Sequence, residues 1–282
     1  MGGGWQGGGW QGGGWQGGGW QGGGWQGGGW QGGGGVSTFA MRTDRPFADF
    51  LIASNLGLTF PDFPARYWDP DLWALTVLPE FFSLPDGGGG VAWAAINLPG
   101  PAAITQPDID RLIGLAVTER PEALGEIIQQ DQNLQLSWMQ LLMMDASTHP
   151  CTFLLMKLAA RVGETLMMHF KRKFNRPRPS QVCPTLFPPV AVPNHGSYPA
   201  GHALIAQLTS LCLAPLVPSR GPALFELARR AAFNREIAGL HYQSDCDAGV
   251  ALANQIHPVL QQCPTYILVN NAIAARNEWA NQ

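Results

Sequence analysis

The sequence predicts an all-α fold, a helical bundle preceded by a repeat tail, on three observations. From residue 107 onward apolar residues recur at three- and four-residue spacing, and no alternating strand pattern competes. Prolines stand where helices begin, at Pro107 and Pro121, each followed by acidic residues in the first turn. The chain of 282 residues is 45% hydrophobic and only 13% charged. Setting aside the first 35 residues leaves about 247, enough to bury a core.

Residues 1–35 form a low-complexity tail. Residues 2–31 are six copies of Gly-Gly-Gly-Trp-Gln, followed by Gly32 to Gly35. Glycine favours a flexible coil. A tryptophan every five residues would instead make both faces of an extended strand adhesive. Two readings stay open: a disordered linker, or a strap that drives homo-oligomers or a higher assembly.

Residues 36–106 read as an irregular wrapping segment. Pro61, Pro64, Pro70, Pro79 and Pro85 recur too often for long helices, and Gly87 to Gly90 is a loop. Phe63, Tyr67, Trp68 and Trp73 are the expected anchors on the core. Residues 107–282 are the helical catalytic core, and 36–282 fold together. Beyond the helices at Pro107 and Pro121, Leu134 to Met144 is expected helical. The longest helix spans Pro150 to Phe174, with apolar stripes around most of its circumference, so it is a buried one. Further helices are expected at 202–214, 221–236, 245–262 and 265–278.

The net charge of −3 argues against a general nucleic-acid binder. Five cysteines, an odd number without CxxC spacing, point to free and mostly buried thiols. No Cys/His cluster calls for a metal. Apolar runs such as Leu211 to Val217 fall far short of the roughly 20 residues that a membrane span needs. The N-terminus lacks a basic region followed by an apolar core. A cytoplasmic location is the default, with a surface or extracellular one open by another route.

Three stretches of the second half supply one chemistry. The first holds Lys171, six residues, then Arg178-Pro179. The second is Pro199-Ala200-Gly201-His202. The third is Arg235, five residues, His241, three residues, Asp245. Lys171 belongs near the end of the long helix, and Arg178 on the extended segment that two prolines enforce. Arg can fork onto two phosphate oxygens, and Lys adds a compact charge. Gly201 allows close approach to the amides of a helix start, where an anion is favoured. His241 and Asp245 are i and i+4. On a helix they would share a face, with the carboxylate taking the Nδ1 proton and freeing Nε2. Each stretch alone has a plainer reading: a solvated helix end, a capping histidine, a surface ion pair. Together they suit a tetrahedral oxyanion and its five-coordinate transition state.

The stretches resemble the type 2 phosphatidic acid phosphatase and vanadium haloperoxidase superfamily. Its pattern is Lys-x6-Arg-Pro, Pro-Ser-Gly-His and Ser-Arg-x5-His-x3-Asp. The resemblance covers residues 149–246, including FNRPRPSQVCP and VPNHGSYPAGHA, and is closest to the soluble haloperoxidase-like branch. It implies that His241 attacks phosphorus, that His202 is acid and then base, and that Asp245 orients His241. It also implies that Lys171, Arg178, Arg235 and the Gly201 amide hold the oxygens of a phosphorylated small molecule. Two departures stand out: Ala200 replaces the motif serine, and Asn234 replaces the serine before the arginine. Ala200→Ser is therefore expected to tighten phosphate or vanadate binding by roughly tenfold or more.

The expected function is phosphoric monoester hydrolysis through a phosphohistidine, with no cofactor. One alternative is a haloperoxidase that holds vanadate on His241 in the same cage. The length of the globular part favours the phosphatase, since family haloperoxidases tend to be larger. The other alternative is a self-assembling structural protein built on an impaired scaffold.

Overall fold

The computed structural model describes residues 68–280. The repeat tail, with the expected anchors Phe63 and Tyr67, lies outside the described residues. Eleven α-helices follow in order among those described: α1 Pro70–Ala74, α2 Val77–Ser83, α3 Gln106–Thr118, α4 Arg120–Gln132, α5 Leu136–Leu142 and α6 Pro150–Phe174. Then come α7 Pro179–Val182, α8 Gly201–Leu213, α9 Gly221–Ile237, α10 Gln243–Leu260 and α11 Pro264–Ala275. No strand occurs among the described residues, only an isolated bridge between Pro85 and Val91. The bundle is all-α.

The expected prolines do start helices: Pro107 and Pro121 fall in the first turns of α3 and α4, and Pro150 opens α6. Between 68 and 105 no helix exceeds seven residues. Of the expected anchors, Trp73 packs on the core, whereas Trp68 is 45% exposed and tilts against Trp73 at 6.4 Å.

The most enclosed element is α8, around which α6, α9 and α10 pack. Its sequence, GHALIAQLTSLCL, buries small and aliphatic residues on nearly every side. Small residues on the partners let the backbones close up. A Cβ at Gly249 of α10 would sit 2.5 Å from the Ala200 carbonyl, and one at Gly163 of α6 would sit 2.6 Å from Leu204. The fully buried Trp138 of α5 donates its indole N–H to Ser210 of α8 at 2.9 Å, so its polar end is satisfied.

Two helix starts are tied to remote carboxylates. Glu278 accepts the Cys151 and Thr152 amides of α6 at 3.0 and 2.9 Å, and Glu80 accepts the Thr265 amide of α11 at 2.8 Å. Each supplies acceptors to otherwise orphaned N–H groups. The five thiols are unpaired, and Cys212, Cys246 and Cys263 are buried. No helix of the described residues is long and apolar enough to cross a membrane.

Candidate active site

The end of α6 and the turns before α8 and α10 meet at one place. Helix α6 carries Lys171, Arg172 and Lys173 in its last turn and stops at Asn175, which is left-handed with φ 46°. Arg178 follows in extended backbone, with φ −77° and ψ 155°. Helix α9 ends on Gly239, φ 72°, with Leu240 N–H on Arg235 O at 3.0 Å and Gly239 N–H on Glu236 O at 2.8 Å. This Schellman closure needs a residue tolerant of positive φ, and it turns the chain so that Arg235 and His241 face the same space.

His241 therefore lies in a turn and not on a helix, which corrects the expected i, i+4 helical pair. Asp245 is the third residue of α10, and its carboxylate folds back over the turn. Its Oδ2 accepts the Tyr242 amide at 3.0 Å and lies 3.4 Å from His241 Nδ1. Ser197 Oγ donates to the same oxygen. On the other side of the ring, Arg178 Nη1 is 3.4 Å from Nε2. A guanidinium only donates, so Nε2 carries the lone pair and Nδ1 the proton.

A cavity adjoins this ring. Arg178, His195, Gly201, His202, Arg235 and His241 line one end of it. Gly201 is forced by contact: a Cβ there would run into Met167 Sδ. His202, in the first turn of α8, has Nε2 3.2 Å from the Gln130 carbonyl. That oxygen only accepts, so His202 carries its proton on Nε2. Arg235 is fully buried with both terminal nitrogens 3.3 Å from Asp131 of α4, and its Nε has no partner.

Two expected members are placed otherwise. Lys171 does not reach the cavity wall. Its buried ammonium donates to the Gly196 and Ser197 carbonyls at 2.8 and 2.9 Å. Acceptors so close satisfy a buried ammonium, and Lys171 thereby holds the loop that carries His195 and Ser197. Ala200 is fully buried too, with its methyl among Ala203, Ala232 and Cys246, away from the cavity lining.

Arg176 was not among the expected site residues. Its Nη1 meets Asp245 Oδ1 at 2.6 Å and Ser244 Oγ at 2.8 Å, and the guanidinium stacks 4.4 Å from the Tyr242 ring. Nothing in its spacing separates Arg176 from its neighbours in KRKFNRPRP. His195 is a second addition. It takes a hydrogen bond from Arg178 on Nδ1 at 3.1 Å, and its Nε2 is buried without a partner.

The electrostatics are one-sided. Burial pushes Lys171 well below its usual range, and Arg178 and Arg235 push it in the same direction. Burial and Arg235 bring Arg178 down to about 9. Burial, then Lys171 and Arg178, bring His195 down to about 4. His202 is depressed by burial and Arg235, and His241 by burial against the opposing pull of Asp245. For Asp245, burial acts upward, but its hydrogen bonds from His241 and Ser197 and the charge of Arg176 outweigh it, and the carboxyl is held low. The cations repel one another around a space that neutral histidines share. Such a field is relieved by an anion.

The family model described as the PAP2 superfamily matches residues 150–267. The match runs from the start of α6 into α11. It contains every expected site residue, but leaves out Gln130 and Asp131.

Proposed function

Residues 150–267 belong to the PAP2 superfamily, and from that premise we propose that the protein hydrolyses phosphoric monoesters through a phosphohistidine on His241. One observation carries the reading: His241 presents an unprotonated Nε2 to a cavity whose buried cations repel one another. Nε2 attacks phosphorus as the P–O bond to the alcohol breaks. Arg178 and Arg235 stabilise the equatorial oxygens, and Gly201 lets its amide approach them. Lys171 contributes charge through the loop it holds. Asp245 keeps the proton on Nδ1, and Arg176 and Ser197 keep Asp245 in place.

His202 delivers a proton to the leaving oxygen, then takes one from the water that hydrolyses the phosphohistidine. In the empty cage it is neutral and a poor acid. A bound phosphate dianion offsets Arg235 and raises the imidazole pKa, so that His202 takes up the required proton from solvent on binding. Asp131, which shares Arg235, sets how strongly that guanidinium is available to an anion.

The test uses p-nitrophenyl phosphate and rapid quenching. Hydrolysis with a label trapped on His241, inhibited by vanadate, is the expected result. Halide oxidation that requires both vanadate and peroxide, in place of ester hydrolysis, would move the cage to haloperoxidase chemistry. Neither activity would remove the enzyme reading.

A further inference from the structure

Helix α4 reaches the cage with its last turn. Asp131 there is committed to Arg235, and Gln130 beside it is engaged at both ends. Its backbone carbonyl accepts from His202 Nε2 at 3.2 Å. Its side-chain oxygen accepts from Asn234 Nδ2 at 3.0 Å, and its side-chain amide donates to Glu126 at 3.1 Å. Glu126 in turn accepts from Arg230 at 2.6 Å. Glu126 and Gln130 are i and i+4 on α4, and Arg230 and Asn234 are i and i+4 on α9. Four side chains therefore tie one helix to the other. Gln130 and Asn234 are both buried.

The Gln130 carbonyl is available because the helix stops. Helix α4 ends at Gln132, so residue 134, the donor that a longer helix would supply, lies beyond it. The last carbonyls also carry the negative end of the helix dipole, which favours a protonated imidazole. Burial and Arg235 depress the His202 pKa, and the Gln130 carbonyl pulls the other way. His202 Nδ1 has no hydrogen-bond partner among the described residues, and His202 lines the cavity with His241.

We propose that the Gln130 carbonyl holds the His202 proton on Nε2 and so makes Nδ1 the atom that exchanges protons with the substrate, with Gln130 and Asn234 as positioning residues. The inference rests on the phosphatase reading of the cage. As His241 Nε2 bonds to phosphorus, the leaving oxygen keeps the P–O electron pair and takes the Nδ1 proton of the His202 imidazolium. The neutral ring then takes a proton from water on the Nδ1 lone pair, while that water's oxygen displaces His241 from phosphorus. Nε2 keeps its proton on Gln130 throughout. The two histidines are thus held by opposite nitrogens and by different acceptors. Asp245 is a carboxylate, which strengthens His241 as a nucleophile. Gln130 offers a neutral carbonyl, which orients the ring and still lets it release a proton. Asn234 stands where the family motif has serine, and its amide reaches one atom further than a hydroxyl.

Nitrogen-15 NMR of the full chain labelled at histidine reads the tautomer directly, with His202→Ala to assign the signals. His202 should carry its proton on Nε2 in the free protein and gain a second on Nδ1 when vanadate binds. Asn234→Ala and Gln130→Ala should each lower kcat/KM for phenyl phosphate about tenfold more than for p-nitrophenyl phosphate, whose leaving group needs less protonation. Inorganic phosphate should bind both variants within about threefold of the parent, because Arg178 and Arg235 are untouched. A proton on Nδ1 in the free protein, or equal losses on both esters, overturns the inference and leaves the phosphatase reading standing. The tautomer decides even if neither variant folds. No hydrolysis of either ester by the parent overturns both.

Discussion

The two ends of the cavity are both lined by buried charge, but they are organised oppositely. At the cage, burial and then Arg178 and Arg235 lower Lys171, burial and then Arg235 lower Arg178, and the nearest carboxylates, Asp131 and Asp245, are already shared with Arg235 and Arg176. Along α6, Asp71 lies between Lys157 and Arg161, and Glu164 completes a closed set. Burying cations without matching carboxylates raises the folding cost, and an anion recovers it. Burying a balanced set stores no such demand, because its members satisfy one another. The same residue types thus build two kinds of wall, and the difference is only in how the charges are paired.

The largest effect is expected at the cage. His241→Ala should reduce ester hydrolysis by at least about 10⁴-fold, as loss of a nucleophile does. It should leave the melting transition and inorganic phosphate binding in place, because Arg178 and Arg235 remain. Residual hydrolysis within tenfold of the parent would assign the attack to another group.

Asp245→Asn comes next. It frees the Nδ1 proton and disturbs the tautomer, so the rate should fall by about 10²-fold or more, less than for His241→Ala. It also leaves Arg176 buried and unpaired, at a cost of about 3–5 kcal/mol of stability. Adding Arg176→Met should recover stability without recovering rate, as followed by urea unfolding beside steady-state kinetics. Recovery of both would show that Asp245 serves only to neutralise Arg176.

A smaller effect reads the unmatched charge of the cage end directly. The cage groups Lys171, His195 and His202 all have pKa values pushed down in the folded protein, so they hold fewer protons than the same groups free in water. A bound anion pushes them back up, so binding should take up protons near neutral pH. Calorimetry of inorganic phosphate in buffers of different ionisation enthalpy measures that uptake. Proton release would contradict the field inferred at the cage.

How much of this was legible in the sequence follows from where each constraint resides. The helices were readable because their starts carry prolines and their apolar residues repeat; α6 begins and ends at the residues expected, Pro150 and Phe174. His202, Arg235 and His241 converge as their spacing suggested, since a helix start and a glycine-closed helix end are local features. The partners were not readable. Gln130 meets His202 across 72 residues of chain, Asp131 meets Arg235 across 104, and Asp71 meets Arg161 across 90. No periodicity encodes such pairings. Lys171 misled for a related reason: position on the helix is local, but the carbonyls that capture its ammonium arrive from the loop before α8.

Ala200 gives the smallest and sharpest prediction. From the motif alone, a serine there should donate to the anion. In the fold, residue 200 is the N-cap of α8, with φ −73°, ψ 120° and no side-chain hydrogen bond, and its methyl faces Ala203, Ala232 and Cys246. The donors nearest to a hydroxyl at an N-cap are the amides of the first helical turn. Ala200→Ser should therefore spend its oxygen on capping, and raise stability by about 1 kcal/mol. Phosphate or vanadate affinity should change by less than about tenfold, since the loss or gain of one full charged hydrogen bond would exceed that. Tenfold tighter binding with an unchanged melting temperature would place the hydroxyl in the cage. It would mean that the start of α8 rotates when the anion arrives.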